Sequence, residues 1–195
     1  MGIRLAGTSD IEPMVRTLVR AFEDYPMSRL AIAADDYLDR LERYYRLFVT
    51  GVGLEQGKVW TSADHRAVAV AVWTTPRTPR DVTAPYAEEF REISGDRALP
   101  MQAVGRAMAV LRPTEPLWIL GMVGVDPHHQ GQGLGRAVIA PGLACADEEH
   151  SPVFLETQTA TNVTFYESLG FEVLGKIELP SNGPTNWAMY RKAQP

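Results

Sequence analysis

Residues 130–136, which read QGQGLGR, combine the features of a site that binds an anion. Three glycines at alternate positions follow the apolar run 117–125 and lead directly into a second apolar stretch. Pro127 separates the run from the glycines, because proline lacks the N–H that a strand ladder needs. The first turn of a helix presents N–H groups without intrahelical partners, and glycines let a phosphate approach the backbone closely. The sequence therefore predicts a strand, a glycine loop and a helix start that together bind a pyrophosphate.

Two common pyrophosphate motifs do not fit this loop. A Walker loop ends in Gly-Lys-Ser/Thr, whereas residues 134–136 are Leu-Gly-Arg and supply neither the lysine nor the magnesium-binding hydroxyl. A dinucleotide fingerprint that starts at Gly131 or Gly133 needs a third glycine or alanine, and the chain has Arg136 or Val138 there. The loop is therefore assigned to neither class.

Polar residues beside the loop do not form a metal site. Asp126, His128 and His129 are close in sequence, but adjacent histidine side chains point apart and lack the spacing of metal ligands. We interpret them as polar loop residues and predict no metal ion.

Two motifs resemble those of one enzyme superfamily. Gln130, Gly133 and Gly135 meet the pattern Gln/Arg-x-x-Gly-x-Gly/Ala, and residues 162–171 read NVTFYESLGF. The first resembles the acetyl-CoA loop of the GNAT superfamily of N-acetyltransferases. The second resembles the asparagine and tyrosine motif that follows the fifth strand in that superfamily. Because the motifs stand in the right order and at a suitable distance, the chain is identified as similar to GNAT enzymes.

The resemblance implies that acetyl-CoA is the co-substrate. It also implies that the strand at 123–125 separates from its parallel neighbour and turns backbone N–H groups toward the thioester and pantetheine. The residues implied to bind acetyl-CoA are Val123, Gly124, Val125, Gln130, Gly131, Gln132, Gly133, Leu134, Gly135, Arg136, Asn162 and Phe165.

Acetyl transfer to an amine also needs an acid for the departing thiolate and a route for the ammonium proton. The resemblance gives the acid's role to Tyr166. Glu156 is the best-placed carboxylate for the base, in the strand beside the separation. A bound water is an equal alternative, because strand alternation could direct the Glu156 side chain away from the site.

A closer resemblance runs from Ile3 to Lys192, to family members that acetylate the aminonucleoside antibiotic puromycin. It implies a small-molecule primary amine as the acceptor, either puromycin or a similar compound, with Tyr25 lining its pocket. The match is weakest at 77–112, and residues 181–186 also contribute to the acceptor end. The alternatives are another small amine, a peptide or protein amine, or a non-catalytic sensor that binds acyl-CoA.

The hydrophobic pattern places these residues in one α/β domain spanning 1–195, a mixed central sheet flanked by helices on both faces. The helix at 36–48 is expected to bury Leu38 with its apolar face and to end at Gly51 and Gly53. The run 117–125 is expected to be buried on both faces. The predicted strands are 3–6, 57–61, 67–74, 117–125, 153–157, 171–179 and 187–191. The predicted helices are 10–23, 36–48, 86–93, 101–111, 136–150 and 162–169, with a short loop after the first that carries Tyr25 and Arg29.

Composition excludes several classes of protein. The net charge of −5 over 195 residues argues against a nucleic-acid partner and suits a cationic substrate better. The single cysteine, Cys145, cannot form an internal disulfide, so oxidising export is not implied. No run of about 18 apolar residues is present, so we expect no membrane span and a cytoplasmic protein. The sequence leaves the oligomeric state open.

Overall fold

A seven-stranded mixed sheet forms the centre of the computed structural model, which describes residues 2–194. Its strands lie in the order β1-β2-β3-β4-β5-β7-β6. The strands are β1 (Ile3–Leu5), β2 (Lys58–Ser62), β3 (Ala69–Thr74), β4 (Trp118–Val125), β5 (Val153–Thr157), β6 (Glu172–Glu178) and β7 (Thr185–Arg191). The helices are α1 (Ile11–Phe22), α2 (Pro26–Ala31), α3 (Tyr37–Leu47), α4 (Ala87–Ser94), α5 (Ala98–Ala109), α6 (Leu134–Glu148) and α7 (Ala160–Glu167). The expected α/β class with a mixed sheet is confirmed.

All neighbouring strands are antiparallel except β4 and β5. The predicted hairpins β2–β3 and β6–β7 are both present. The chain places β7 between β5 and β6, so the last strand, and not the one that follows β5 in sequence, covers the far edge of β5. Residues of β7 therefore lie next to residues of β5.

The parallel pairing of β4 and β5 is short. Trp118 to Leu120 align with Val153 to Leu155, and the pairing ends there. By contrast, β4 stays paired with β3 as far as Val125. Gly121 is an extra residue in β4, because Leu120 and Met122 lie opposite the consecutive residues Trp73 and Val72. The two central strands thus separate at a β-bulge, and a gap opens between them.

Two hydrophobic cores cover the two faces of the sheet. On one face, α6 packs over a cluster that contains Trp60, Trp73 and Trp118, whose ring centroids lie 6.0 to 6.3 Å apart. On the other face, α1 and α3 bury residues such as Leu18 and Leu41 against β3. The strand β4 therefore has a helical layer on each side.

The structure corrects the expectation that 117–125 is buried on both faces. Trp118 and Leu120 are buried, but Gly121 is exposed and Met122 and Val123 are only partly buried. The reason is the separation from β5, which removes a neighbour from the second half of the strand.

The segment after α1 also differs from expectation. Residues expected to form a loop build the short helix α2, which begins at Pro26, a favoured first position because proline has no N–H to leave unpaired. Leu38 is 52% exposed rather than buried, since α3 turns Leu41 and Tyr45 to the core. Gly51 and Gly53 do not end the helical region, which continues as a π-helical segment from Phe48 to Glu55.

Residues 75–117 form an insertion between β3 and β4, which are adjacent antiparallel strands that a short turn could join. The insertion carries α4 and α5, close to the two predicted helices. It is attached to the helical layer by Arg40, which donates to the Glu92 carbonyl, and by Arg97, which donates to the Arg29 carbonyl at 3.1 Å. Nowhere in residues 2–194 is a helix both long and apolar enough to cross a membrane.

Candidate active site

The gap between β4 and β5 contains a cavity of about 130 Å³. Its floor is the second half of β4, and its other walls come from α1, α2, α3, the end of β5 and α7. The lining residues are Phe22, Tyr25, Met27, Ser28, Ala31, Tyr44, Tyr45, Leu120, Gly121, Met122, Val123, Glu156, Thr157, Gln158, Asn162 and Tyr166. Four predicted site residues, Val123, Glu156, Asn162 and Tyr166, are thus brought together with Tyr25.

The glycine loop lies between the end of β4 and the start of α6. Gly131 and Gly133 have φ angles of +75° and +76°, in a region that residues with a Cβ rarely adopt. Within the described residues, none of the backbone N–H groups of 130–136 donates a hydrogen bond to another residue, and the first such donor is Ala137. The loop therefore presents a row of free donors at a helix N-terminus, as an anion site requires.

The second half of β4 also offers unpaired backbone. From Gly121 onward its edge toward β5 has no strand partner, so the backbone donors and acceptors on that edge, apart from the Val125 carbonyl, are free for a ligand. Gly124 has a further role, since a Cβ there would lie 2.7 Å from the Leu18 side chain of α1. Gln130 turns its amide back to the Val125 carbonyl at 3.1 Å and so stabilises the loop start.

Helix α7 brings the second motif to the gap. Thr159 caps the helix by accepting from the Asn162 N–H, and the Asn162 amide donates to Thr157 Oγ1 at 3.0 Å. Phe165 lies under the loop, with its ring 3.6 Å from the position of a Cβ on Gly135. Arg136 points elsewhere, because its guanidinium donates to the Ser168 hydroxyl at 2.7 Å and thereby holds α7 to α6.

Tyr166 is positioned by its neighbours in the motif and by the turn that follows. Its ring meets those of Phe165 and Phe171 edge-on, at centroid distances of 5.2 and 5.9 Å. Its hydroxyl lines the cavity and makes no hydrogen bond to any other residue between 2 and 194. Burial raises the pKa of Tyr166, so the hydroxyl keeps its proton at neutral pH. The group is therefore available as a proton donor.

Glu156 faces the cavity from the end of β5. Burial raises the pKa of the Glu156 carboxyl, while a hydrogen bond from Asn186 and the positive charge of Arg112 oppose that rise. Asn186, which is completely buried, donates to Glu156 Oε1 at 2.8 Å and accepts from the Gln158 amide. This chain of amides fixes one carboxyl oxygen of Glu156 and leaves the other free to accept a proton.

Tyr25 links the start of α2 to the end of β5. Its hydroxyl lies 3.2 Å from Thr157 Oγ1 and accepts from the Gln158 N–H at 3.0 Å. The ring packs edge-on against Phe22 at 5.2 Å. Tyr25 thus forms part of the cavity wall.

The polar residues after β4 have a structural role. Asp126 is buried, and burial by itself would raise the pKa of its carboxyl. Hydrogen bonds from the His128 N–H and from Arg20 outweigh this effect, so the pKa of Asp126 is lowered. His129 Nδ1 lies 3.5 Å from the same carboxyl. Among residues 2–194, no three His, Cys, Asp or Glu side chains are grouped closely enough to hold a metal ion.

Sequence reasoning missed several cavity residues, notably Ser28, Tyr45 and Gln158. Ser28 and Tyr45 share a hydrogen bond of 2.9 Å between α2 and α3, and neither helix position carries a chemical motif. Asn186 had one usable signal, because it lies within 181–186, the segment assigned to the acceptor end. The contact between Asn186 and Glu156 could be predicted only once β7 was known to lie beside β5.

Comparisons with known proteins agree with this geometry. A family model described as an acetyltransferase (GNAT) domain matches residues 97–173. An acetyltransferase of the fungus Stachybotrys chartarum is 28% identical, and the match covers 98% of this chain and 89% of the fungal protein. A mycothiol acetyltransferase of Kytococcus sedentarius is 30% identical over 65% of this chain, which spans only 44% of that protein's length.

One solved structure is similar to this chain over nearly the whole length of both proteins. It is described as histone acetyltransferase HPA2 and related acetyltransferase, from Corynebacterium glutamicum, and it matches with a TM-score of 0.78 and 25% identity. The match covers 100% of this chain and 97% of that one. The family model over residues 97–173, the full-length relative and this solved structure therefore show that the chain has a mixed α/β fold similar to that of GNAT acetyltransferases, and they support an acetyl-transferring enzyme.

Proposed function

We propose that the protein transfers the acetyl group of acetyl-CoA to a primary amine of a small molecule. The observation that carries the proposal is that β4, which lines the cavity holding Tyr166 and Glu156, leads along the chain to the free N–H groups of 130–136. The N–H groups would bind the diphosphate, and the unpaired edge of β4 would bind the pantetheine arm. The residues present thus fit acetyl-CoA, which supplies the thioester when bound.

The chain's own residues supply the proton transfers. The amine nitrogen forms a bond to the acetyl carbon as the carbon–sulfur bond breaks, and the Tyr166 hydroxyl gives its proton to the departing thiolate. Glu156 takes the proton that the amine loses, either directly or through a water. Free N–H groups on the edge of β4 stabilise the negative charge that develops on the acetyl oxygen.

We further propose puromycin, or an aminonucleoside like it, as the acceptor. The support is the resemblance of 3–192 to puromycin-acetylating enzymes and the presence of Tyr25 in the wall of the cavity. The test is a thiol-release assay on purified protein with acetyl-CoA and puromycin. We expect release of one CoA for each puromycin acetylated, with the product identified by mass spectrometry.

The same assay separates the alternatives when the acceptor is changed. Acetylation of peptides but not of aminonucleosides would assign a protein amine as the substrate. Binding of acetyl-CoA in a calorimeter without acetylation of any amine would assign a non-catalytic sensor. Turnover of simple amines without turnover of puromycin would support acetyl transfer to small amines and exclude puromycin as the acceptor.

A further inference from the structure

A second cavity, of about 700 Å³, adjoins the active-site cavity. We call it the aromatic pocket. It lies between α3 and the insertion 75–117, and it shares two lining residues, Ala31 and Tyr44, with the active-site cavity. The pocket is lined by Ala31, Tyr44, Phe48, Asp81, Thr83, Ala84, Ala87, Glu88, Phe90, Arg91, Ser94, Ala98, Met101 and Gln102.

Three aromatic rings form one wall of the pocket. Tyr44 lies 5.0 Å from Phe48 and 5.6 Å from Phe90 between ring centroids, and the two phenylalanines lie 5.4 Å apart. Met101, a flexible side chain that adapts to flat rings, lies in the same lining. Such a wall binds aromatic or bulky apolar groups through buried area and edge-to-face contacts.

Tyr44 connects the pocket to the site of acetyl transfer. Burial raises the pKa of Tyr44 to about 12, so its hydroxyl stays protonated. The hydroxyl makes no hydrogen bond to any other residue that the structure describes. A ligand that extends from one cavity to the other would pass Tyr44 and could accept a hydrogen bond from it.

The charges around the pocket disfavour an anionic ligand. Arg91 is the single cationic side chain in the lining, and it is paired with Glu88 at 2.7 Å. Asp81 adds an acidic side chain at the exposed rim. The ionisable lining therefore has a net negative charge, which suits a protonated amine on its way to the cavity.

We infer that the aromatic pocket binds an aromatic group of the acceptor, while the amine of the same molecule reaches the cavity between Glu156 and Tyr166. The substrate class is thus a primary amine that carries an aromatic or comparably bulky apolar group. This inference rests on the proposed function and narrows it, because the insertion would select the acceptor.

The test uses a series of α-amino amides with the same reactive amine. These are alaninamide, leucinamide, phenylalaninamide and O-methyltyrosinamide. In the wild-type protein we expect kcat/KM to rise at least tenfold from alaninamide to the aromatic amides. The variant Phe90→Ala should lose about tenfold with the aromatic amides and keep its kcat/KM for alaninamide.

Two further variants guard against a general effect on folding. Ala87→Trp adds a ring to the pocket from an exposed helix position, so it should reduce activity on aromatic amides without removing core packing. Leu99→Ala is the matched control, since Leu99 is 76% exposed on the same insertion and does not line the pocket. It should leave the whole series unchanged.

A binding measurement separates failure of this inference from failure of the proposed function. The probe 3-phenylpropanamide lacks the amine, so calorimetry reports its binding whether or not acetylation occurs. Weaker binding of the probe to Phe90→Ala than to wild type would support the pocket. Equal kcat/KM along the amide series, with alaninamide turned over and the probe unbound, would overturn the pocket and keep the acetyltransferase. If no amide is acetylated, the proposed function fails and the inferred acceptor class with it.

Discussion

At the scale of single residues, the site depends on two ionisable groups whose pKa values are raised by burial. Tyr166 keeps a proton that it can donate, and Glu156 holds its proton to higher pH than an ordinary carboxyl does. The raised pKa of Glu156 brings a base closer to neutral pH, and the raised pKa of Tyr166 keeps its hydroxyl protonated.

Replacing Tyr166 by phenylalanine tests the acid. The ring would keep its contacts with Phe165 and Phe171, so only the proton donor is removed. We expect kcat to fall by about 10²–10⁴-fold with little change in acetyl-CoA affinity. Steady-state kinetics and calorimetry measure the two quantities. Tyr190→Phe is the control, since that hydroxyl contacts Glu115 outside the cavity, and full activity of Tyr166→Phe would remove Tyr166 from the mechanism.

The pH profile tests Glu156. A base must be deprotonated, so kcat/KM should fall as the pH is lowered through the raised pKa of Glu156. In Glu156→Gln we expect this acid limb to disappear. At pH values above the limb, we expect kcat/KM to be about 10²-fold lower than in the wild type. If a water alone is the base, the variant should keep both its rate and its acid limb. Asn186→Asp gives a second readout, because a negative charge beside Glu156 should shift the limb to higher pH.

Residue types and motifs predicted several residues that the structure brings to one cavity, but not the directions of their side chains. Tyr166 could be named from its motif because the helix and the turn after it are local structures. The direction of the Glu156 side chain remained ambiguous. A strand presents alternate residues to opposite faces, and the sequence alone does not show which face lines the site. The partners Gln158 and Asn186 depend on contacts between distant segments, which no local pattern encodes.

At the scale of elements, the loop between β4 and α6 is a tight connection whose backbone N–H groups at 130–136 stay unpaired. Two left-handed residues, Gly131 and Gly133, turn the chain within a few positions, and no neighbour lies within 4 Å of a Cβ on either. The requirement for glycine here is therefore conformational rather than steric. It explains why the pattern of glycines was informative in the sequence alone.

The substitution Gly133→Ala separates that conformational effect from packing. An alanine at φ +76° costs about 1–2 kcal/mol, so the loop should relax and the Kd for acetyl-CoA should rise about tenfold. The matched control is Gly105→Ala in α5, where a Cβ has open space and a helical backbone. It should leave binding unchanged and stabilise the fold slightly. Equal acetyl-CoA affinity in Gly133→Ala and wild type would show that this loop does not bind the diphosphate.

Element boundaries were predicted well where periodicity is strong. Helix α1 lies where the helical spacing of its apolar residues put it, and β5 lies where a short apolar run follows the break at Pro152. Helix α2 and the π-helical segment 48–55 were missed, since short helices are set by their neighbours rather than by their own sequence. Leu38 was misassigned because it borders the apolar stripe of α3, and the helix rotates it outward.

At the scale of the whole molecule, one ion pair connects helix α6 to the last strand, β7. Arg191 of β7 bonds both oxygens of Asp147 in α6, at 2.7 and 2.8 Å, and donates to the Leu169 carbonyl after α7. Its side chain is 7% exposed, so the pair is shielded from water. The helix that presents the loop is thereby fixed to the strand that flanks β5.

We expect Arg191→Ala to reduce the free energy of unfolding by about 3 kcal/mol, because it leaves a partly buried carboxylate without its partner. Arg91→Ala is the control, since its pair with Glu88 is exposed and should matter by less than about 0.5 kcal/mol. Urea denaturation measures both. The Arg191 side chain lowers the pKa of Asp147, so its stabilisation is present above the ordinary carboxyl range and lost as pH falls through the lowered value. A loss below 1 kcal/mol would contradict a stabilising role.

The layered architecture and the hairpins β2–β3 and β6–β7 were predicted from the sequence, but the long-range order of the strands was not. The alternation of strands and helices indicated a mixed sheet with helices on both faces, and residue pairs such as Trp73 and Trp118 are buried as apolar residues should be. The place of β7 beside β5, and the closure of the insertion over α3, depend on which distant surfaces fit together. The acceptor pocket that we infer lies at one of these long-range contacts.

The extra residue at Gly121 changes which residues of β4 point to each face of the sheet. On the N-terminal side of Gly121, the even-numbered residues Trp118 and Leu120 face α6. On its C-terminal side, the odd-numbered residues Val123 and Val125 face α6. In a regular ladder that kept Gly121 without the bulge, Gly124 would face α6, and a valine side chain would enter the space that α1 now fills. A single unpaired residue therefore determines which side chains in the second half of β4 face α6 and which face α1.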